Sequence, residues 1–249
     1  MKCLIANANL MPYREALQLQ ENIYTLLAEN KTDDILLLLE HTPVITLGRK
    51  ATADMFKATQ NEIKKIGIDI VEINRGGKIT YHGPGQVVGY PILNFSRLGK
   101  SVGEYMTALR HILIAVLHEW DIKAWQEDGG VWIAKGIKIG ATGVAIKSFQ
   151  HIQVTKHGFA LDVNTNLAHF STIHPCGYIN GEATSMEKLL QKKIDISAVK
   201  QSIIKHFSDT FGYSPEIITK KELMQFISSS YANAIPASNN YVRSIQNHR

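Results

Sequence analysis

The sequence predicts an α+β fold, a mixed β-sheet packed by helices, and three observations point to it. Short apolar runs of strand length are interleaved with amphipathic helical periods, without the steady βα alternation of a doubly wound sheet. Gly, Pro and charged residues bound most of the apolar runs. The chain is 249 residues long, with 45% hydrophobic and 20% charged residues, enough for a substantial core without staples.

The elements follow in order. Over Tyr13–Glu29, Ala16, Leu19, Ile23, Leu26 and Leu27 share one helical face. Ile35–Leu39 is wholly apolar between Asp34 and Glu40, the pattern of a buried strand. Val44–Leu47 is expected as its partner, broken off by Pro43 and Gly48. Ile68–Ile73 and Gln86–Phe95 read as strands on either side of a glycine-rich stretch. Ser101 with Glu104 is a capping box, opening a helix toward Trp120. Five short strands are expected at 131–133, 137–139, 143–146, 152–154 and 159–163. Helices are expected at 183–190, at 196–211 with a stop at Gly212, and at 221–227. Residues 1–225 are expected as one catalytic domain and 226–249 as a polar, flexible tail.

Composition narrows the function classes. Two cysteines, Cys3 and Cys176, make neither a disulfide framework nor a Cys-rich zinc site. No run approaches the roughly 18 apolar residues of a membrane span. The first residues carry no convincing signal peptide. A soluble, cytoplasmic protein is the simplest expectation, with no membrane partner. The formal net charge of +5 is scattered rather than clustered, which argues against nucleic acid and suits acidic protein partners.

Two segments can carry chemistry. Arg75–Gly89 holds five glycines together with Arg75, Lys78, Thr80, His82 and Gln86. Glycines let backbone approach a ligand, and the polar residues add donors. A glycine-rich hairpin whose polar groups merely satisfy turns fits equally well. The spacing matches neither a P-loop nor a dinucleotide fingerprint. Cys176 lies between Pro175 and Gly177, a turn-like setting for a thiol. Only about 3% of a free thiol is ionised at pH 7, so a nucleophilic Cys needs a nearby cation or base. An inert buried thiol is the alternative, and for Cys3 it is the better reading. His82, His157 and His174 are candidate bases, and Lys135, Lys138 and Lys147 are candidate perturbed amines. Each has a bland reading as a satisfied or surface side chain.

Taken together the segments resemble one family. RGGKITYHGPGQVVGYPIL (75–93), GVWIAKGIKIGATGVAI (130–146), HGFALDVN (157–164) and HPCGYINGEATSM (174–186) are similar to the motifs of the lipoate-biosynthesis octanoyltransferases. EHTPVITLGR (40–49) resembles that family's N-terminal motif. The resemblance implies the fold of the biotin and lipoate protein ligases. It implies transfer of octanoyl from octanoyl-acyl carrier protein to a lysine of lipoyl domains, those of 2-oxoacid dehydrogenases and the glycine cleavage H protein. Cys176 matches the family's nucleophile and Lys138 its catalytic lysine. Arg75, Gly76, Gly77, Lys78, Ile79, Thr80, Tyr81 and His82, with Ala141, Thr142, Gly143, Gly158, Phe159 and Ala160, match the acyl-site segments. No metal, ATP or other cofactor is implied, and a monomer is expected. Two readings compete: an ATP-dependent lipoate ligase of the same fold, and a non-catalytic module that binds acylated proteins.

Three features depart from the family pattern. Asp162 stands where the family usually has Asn, and it adds charge beside the site if it points inward. The stretch between Lys138 and His157 is a few residues longer, which predicts an extended hairpin tip. The chain beyond about residue 225 lies outside the resemblance.

Overall fold

The computed structural model describes residues 1–174 and 181–232. Two sheets organise them. The larger runs in the order β12 (Ser214–Thr219), β1 (Lys2–Met11), β2 (Asp34–His41), β6 (Gln86–Ile92), β10 (Ile152–Asp162), β9 (Ile137–Phe149), β8 (Gly130–Ala134), β7 (Trp125–Glu127). The short β11 (Glu182–Ala183) adds to β9. β12, β1 and β2 are parallel, and from β2 to β7 each neighbour along that path is antiparallel. The smaller sheet is β4 (Asp69–Glu72), β3 (Val44–Leu47), β5 (Ile79–His82).

The large sheet is covered on both faces, which explains why β2 is wholly apolar over Ile35–Leu39. Leu36 and Leu38 enter one core with α3 (Val102–His118) and α5 (Ile196–Phe211). Ile35, Leu37 and Leu39 enter the other with α1 (Tyr13–Ala28) and α6 (Lys220–Ala232). A third core fills the space under the small sheet, around Ile45, Ile63, Ile79 and Tyr81, with α2 (Gln60–Lys65) contributing Ile63.

Caps set the helices as the sequence indicates. Ser101 and Glu104 form the reciprocal capping box that opens α3. Gly212, at φ 67°, terminates α5 in the left-handed conformation.

Several expectations are corrected. β3 is not the partner of β2: β2 pairs with β1 and β6, while β3 pairs with β4 and β5 in the small sheet. Pro43 ends the first run, and its carbonyl accepts from Asp69 N, which starts the separate ladder. The strands expected at 137–139 and 143–146 are one strand, as are 152–154 and 159–163. The glycines between them are places of close approach rather than breaks. A β-carbon at Gly158 would lie 2.2 Å from the Gly89 carbonyl oxygen. The stretch before His157 forms this paired hairpin, which turns at Gln150 with φ 49°. The helix expected at 183–190 is shorter, α4 (Met186–Leu190), because Glu182 and Ala183 pair with β9 and Ser185 caps the helix.

Five strands, β1, β5, β7, β11 and β12, have no counterpart among the expected ones. β1 is rich in Ala and Asn, and its pairing on both sides overrides weak local propensity. α6 runs past residue 225 and buries Leu223 and Ile227, so the helix crosses the expected tail boundary. Residues 233–249 lie outside the described residues.

Candidate active site

The site lies where the glycine-rich stretch meets β9 and β10. An open cleft of about 790 Å³ is lined by Arg75–Thr80 and His82, by Ala141–Val144 of β9 and by His157–Ala160 of β10. Ile79, Val88, Val102, Met106, Val144 and Phe159 give it apolar walls. Glycines make it possible. A β-carbon at Gly89 would lie 2.1 Å from the Phe159 ring, so only Gly lets that ring lie against β6. Gly77 has φ +87°, a turn open to Gly with little strain.

Arg75 fastens this wall to the small sheet. Its guanidinium donates to the Gly76 carbonyl at 2.9 Å, and to the Thr46 carbonyl at 3.1 Å and hydroxyl at 2.9 Å. Beside it sits an aromatic cluster. His41 Nδ1 donates to the Met11 carbonyl at 3.0 Å, so neutral His41 Nε2 accepts from Tyr90 OH at 2.6 Å. Burial pushes His41 down to about 4 and keeps it neutral at pH 7. Tyr13 stacks on His82 with ring centroids 6.1 Å apart. Burial pushes both His82 and His157 down to about 3. His157 has φ 59°, a strained conformation for a non-glycine residue, and its backbone N–H donates to Gln20.

A second cavity, of about 20 Å³, shares Thr80, Ala141 and Ala160 with the cleft. Lys138, Gln86, Asp162, Phe170 and Ala183 help to line it. Lys138 reaches it because of a β-bulge. Val131 of β8 is opposite Gly140, but Trp132 is opposite Lys138, so Ile139 is an extra residue in β9. Strict alternation would send Ile139 to the site and Lys138 to the core. Instead Ile139 is fully buried in the α3 core and Lys138 lines the cavity. Lys138 is only 8% exposed, with Nζ 5.4 Å from the centre of the Trp132 ring, within cation–π range. Gly130 makes room for it, since a β-carbon there would lie 2.5 Å from Lys138 Cε.

The two cavities are joined by hydrogen bonds. His82 Nδ1 donates to Gln86 Oε1 at 2.6 Å, and Gln86 Nε2 donates to Asp162 at 2.9 Å and to the Tyr81 carbonyl at 3.3 Å. Asp162 therefore points inward, the charged alternative of the two left open by the sequence. Burial pushes its carboxyl group up to about 7, against the lowering effects of Gln86, Thr165 and Lys138.

The structure brings together most of the residues singled out from sequence. Arg75 to Thr80, His82, Ala141, Thr142, Gly143, Gly158, Phe159 and Ala160 all line the cleft. Tyr81 is outside it, buried in the core of the small sheet with its hydroxyl 2.7 Å from His169 Nδ1. Lys135 and Lys147 are exposed. Cys3 is fully buried in the α3 core, and burial raises its thiol far above the usual range. Cys176 lies outside the described residues, as do its neighbours from 175 to 180. On one side His174 N donates to the Met55 carbonyl. On the other, Ala183 pairs with Lys138, and Thr184 N donates to the Lys138 carbonyl at 2.8 Å.

Sequence reasoning passed over Tyr13, Tyr90, Met106 and Trp132. Tyr13 and Met106 reach the site from helices distant in the chain, whereas Tyr90 and Trp132 lie within the segments 75–93 and 130–146 but are ordinary aromatic strand residues that nothing local marks.

With this geometry in view, the comparisons with known proteins decide the family. Residues 12–208 match the model of the lipoyl protein ligase A/B catalytic domain. The chain belongs to that family. An octanoyltransferase of Desulforamulus reducens is 40% identical over 230 residues, covering 91% of this chain and 99% of that protein. One of Caldicellulosiruptor saccharolyticus is 39% identical over 231 residues, covering 91% and 96%. A lipoate-protein ligase A structure bound with ATP superposes with a TM-score of 0.72 at 17% identity, covering 93% of this chain and 95% of that one. This last likeness speaks for the fold, a mixed sheet packed by helices. Within the family this member is an octanoyltransferase, an acyltransferase of lipoate synthesis. Among the described residues no helix is long and apolar enough to cross a membrane.

Proposed function

We propose that the chain moves octanoyl from octanoyl-acyl carrier protein to a lysine of a lipoyl domain through a thioester on Cys176. Lys138 handles the protons. The observation that carries this reading is the buried Lys138, turned by the bulge into a cavity that adjoins a glycine-walled cleft. The chain returns from residue 176 to pair with Lys138 at Ala183, which supports the pairing of the two side chains in one site.

The chemistry proceeds in two balanced steps. The Cys176 thiolate attacks the donor thioester, the bond to the carrier sulfur breaks, and that sulfur leaves as a thiol with a proton from Lys138. The acceptor amine, with an ordinary value near 10.4, is mostly protonated at pH 7 and loses one proton to solvent before it attacks and a second as the amide forms. Neutral Lys138 accepts one as the amide forms and the Cys176 sulfur leaves. Thioester replaces thioester in the first step, so no ATP enters. The apolar cleft wall suits an acyl chain, each buried CH2 being worth about 0.8 kcal/mol. Lipoyl domains of 2-oxoacid dehydrogenases and the glycine cleavage H protein are the acceptors in this reading, and the protein acts as a cytoplasmic monomer.

Mass spectrometry after mixing with octanoyl-acyl carrier protein tests the proposal. One octanoyl adduct on Cys176 is expected, removed by hydroxylamine and by an apo lipoyl domain. Cys176→Ala abolishes adduct and transfer. Lys138→Ala slows transfer by about 10²–10⁴-fold with the fold retained. A requirement for ATP would replace this reading with the ligase. Stable binding without an adduct would replace it with a non-catalytic module.

A further inference from the structure

We propose that Asp162 is a positioning residue whose carboxyl group, held by Gln86 in the cavity it shares with Lys138, supplies the charge against which Lys138 works. The inference rests on the catalytic role given to Lys138 above.

Asp162 is the last residue of β10, and its side chain is 6% exposed. It faces the sheet side of Ala141 and Ala160, the same side to which the β9 bulge turns Lys138. The bulge and the carboxyl group therefore act as a pair: without the bulge, Lys138 would point away from Asp162. Gln86 fixes the carboxyl by donating to Oδ1 at 2.9 Å. The same Gln86 accepts from His82 at 2.6 Å, so the carboxyl is connected to the large cleft by a chain of two hydrogen bonds.

Few other charges act on it. Among the described residues, Lys138 of β9 is the cation that faces Asp162. Tyr81 of β5 is a titratable neighbour, raised to about 12 by burial and by Asp162. Gln86 of β6 and Thr165 beyond β10 are neutral, and Phe170 and Ala183 close the cavity with apolar surface. In so confined a space the charge on the Asp162 carboxyl group acts on the Lys138 side chain, and it is lost when the carboxyl is protonated. Burial places the change near neutral pH, with Asp162 raised to about 7.

The test compares the full-length chain with Asp162→Asn, which keeps the shape and can still accept from Gln86. Octanoyl transfer is measured from pH 5.5 to 8.5. The wild-type kcat profile is expected to carry an ionisation with a midpoint near 7 that the variant lacks. At the pH of greatest difference kcat is expected to change by about tenfold with KM unchanged. Superimposable profiles would overturn the inference.

Melting curves form a second arm that needs no activity. Because Asp162 is raised above its ordinary 3.8, its neutral form is fully tolerated below about pH 4, and stability is lost as pH rises through about 7. The variant's Tm advantage should therefore open between pH 4 and 7 and then level off. A gap independent of pH would overturn the inference. If neither protein transfers octanoyl, the proposed function falls, and Asp162 is judged on the melting curves alone. Asp162→Ser repeats both arms if the Asn protein does not fold.

Discussion

The two cavities of the site are built on opposite principles. The large cleft is a binding surface: backbone brought close by glycines, apolar side chains, and histidines held neutral by burial. The small cavity concentrates charge, with Lys138 and Asp162 meeting in about 20 Å³. β9 serves both because the bulge at Ile139 changes which face it presents, and β10 serves both through Ala160. The difference shows how one hairpin separates holding a chain from moving a proton.

Exchanging Lys138 and Ile139 (K138I/I139K) breaks the comparison most severely. The bulge keeps its pairing with β8, so the isoleucine at 138 faces the cavity and the amine at 139 is sent into the α3 core. Transfer is expected to fall at least as far as in Lys138→Ala, roughly 10²–10⁴-fold, and Tm to fall as well. Retained transfer in that exchange would show that the bulge does not aim Lys138.

Gly89→Ala attacks the cleft alone. The new methyl group meets the Phe159 ring, which has to shift, so about 1–3 kcal/mol of stability is expected to be lost. KM for the octanoyl donor should rise with the reactivity of Lys138 unchanged. A matching fall in kcat at constant KM would mean that the two cavities are not separable.

The smallest effects are in pH. His41, His82 and His157 have folded values of about 4, 3 and 3, below the ordinary 6.5. Their contribution to stability is full above pH 6.5 and is lost as pH falls through 4 and 3. Asp162 has the opposite sign, since its destabilising ionisation occurs as pH rises toward 7. Urea unfolding of Asp162→Asn should therefore isolate the acid-labile histidines, with stability falling by on the order of 1 kcal/mol or more from pH 6.5 to 5. A flat profile over that range would mean that the histidines are not held neutral.

The same contrast governs what the sequence revealed. The cleft was legible at 75–82 because its glycines and polar residues are contiguous, and at 141–143 and 158–160 through the resemblance; all of them line it apart from Tyr81. Even Tyr81 follows a simple rule, since alternation along β5 sends it into the core of the small sheet. Helices with caps, α3 and α5, were legible almost to their ends. The bulge at Ile139 was not, because two-versus-one pairing depends on a partner strand and leaves no local mark. β1 was missed for a related reason: Ala and Asn have weak strand propensity, and two neighbours from remote parts of the chain hold it in place. Lys138 was singled out by resemblance, whereas its burial beside Trp132 and Asp162 required three dimensions.

The parallel ladder between β1 and β12 pairs Lys2 with Ser214 and Asn7 with Thr219. On a ribosome, the first strand emerges long before its outer neighbour exists. Until residues 214–219 are made, one edge of β1 offers unpaired backbone groups to any passing strand. The nascent enzyme thus spends most of its synthesis with an adhesive margin, and shielding by a chaperone would matter most just before α6 is translated.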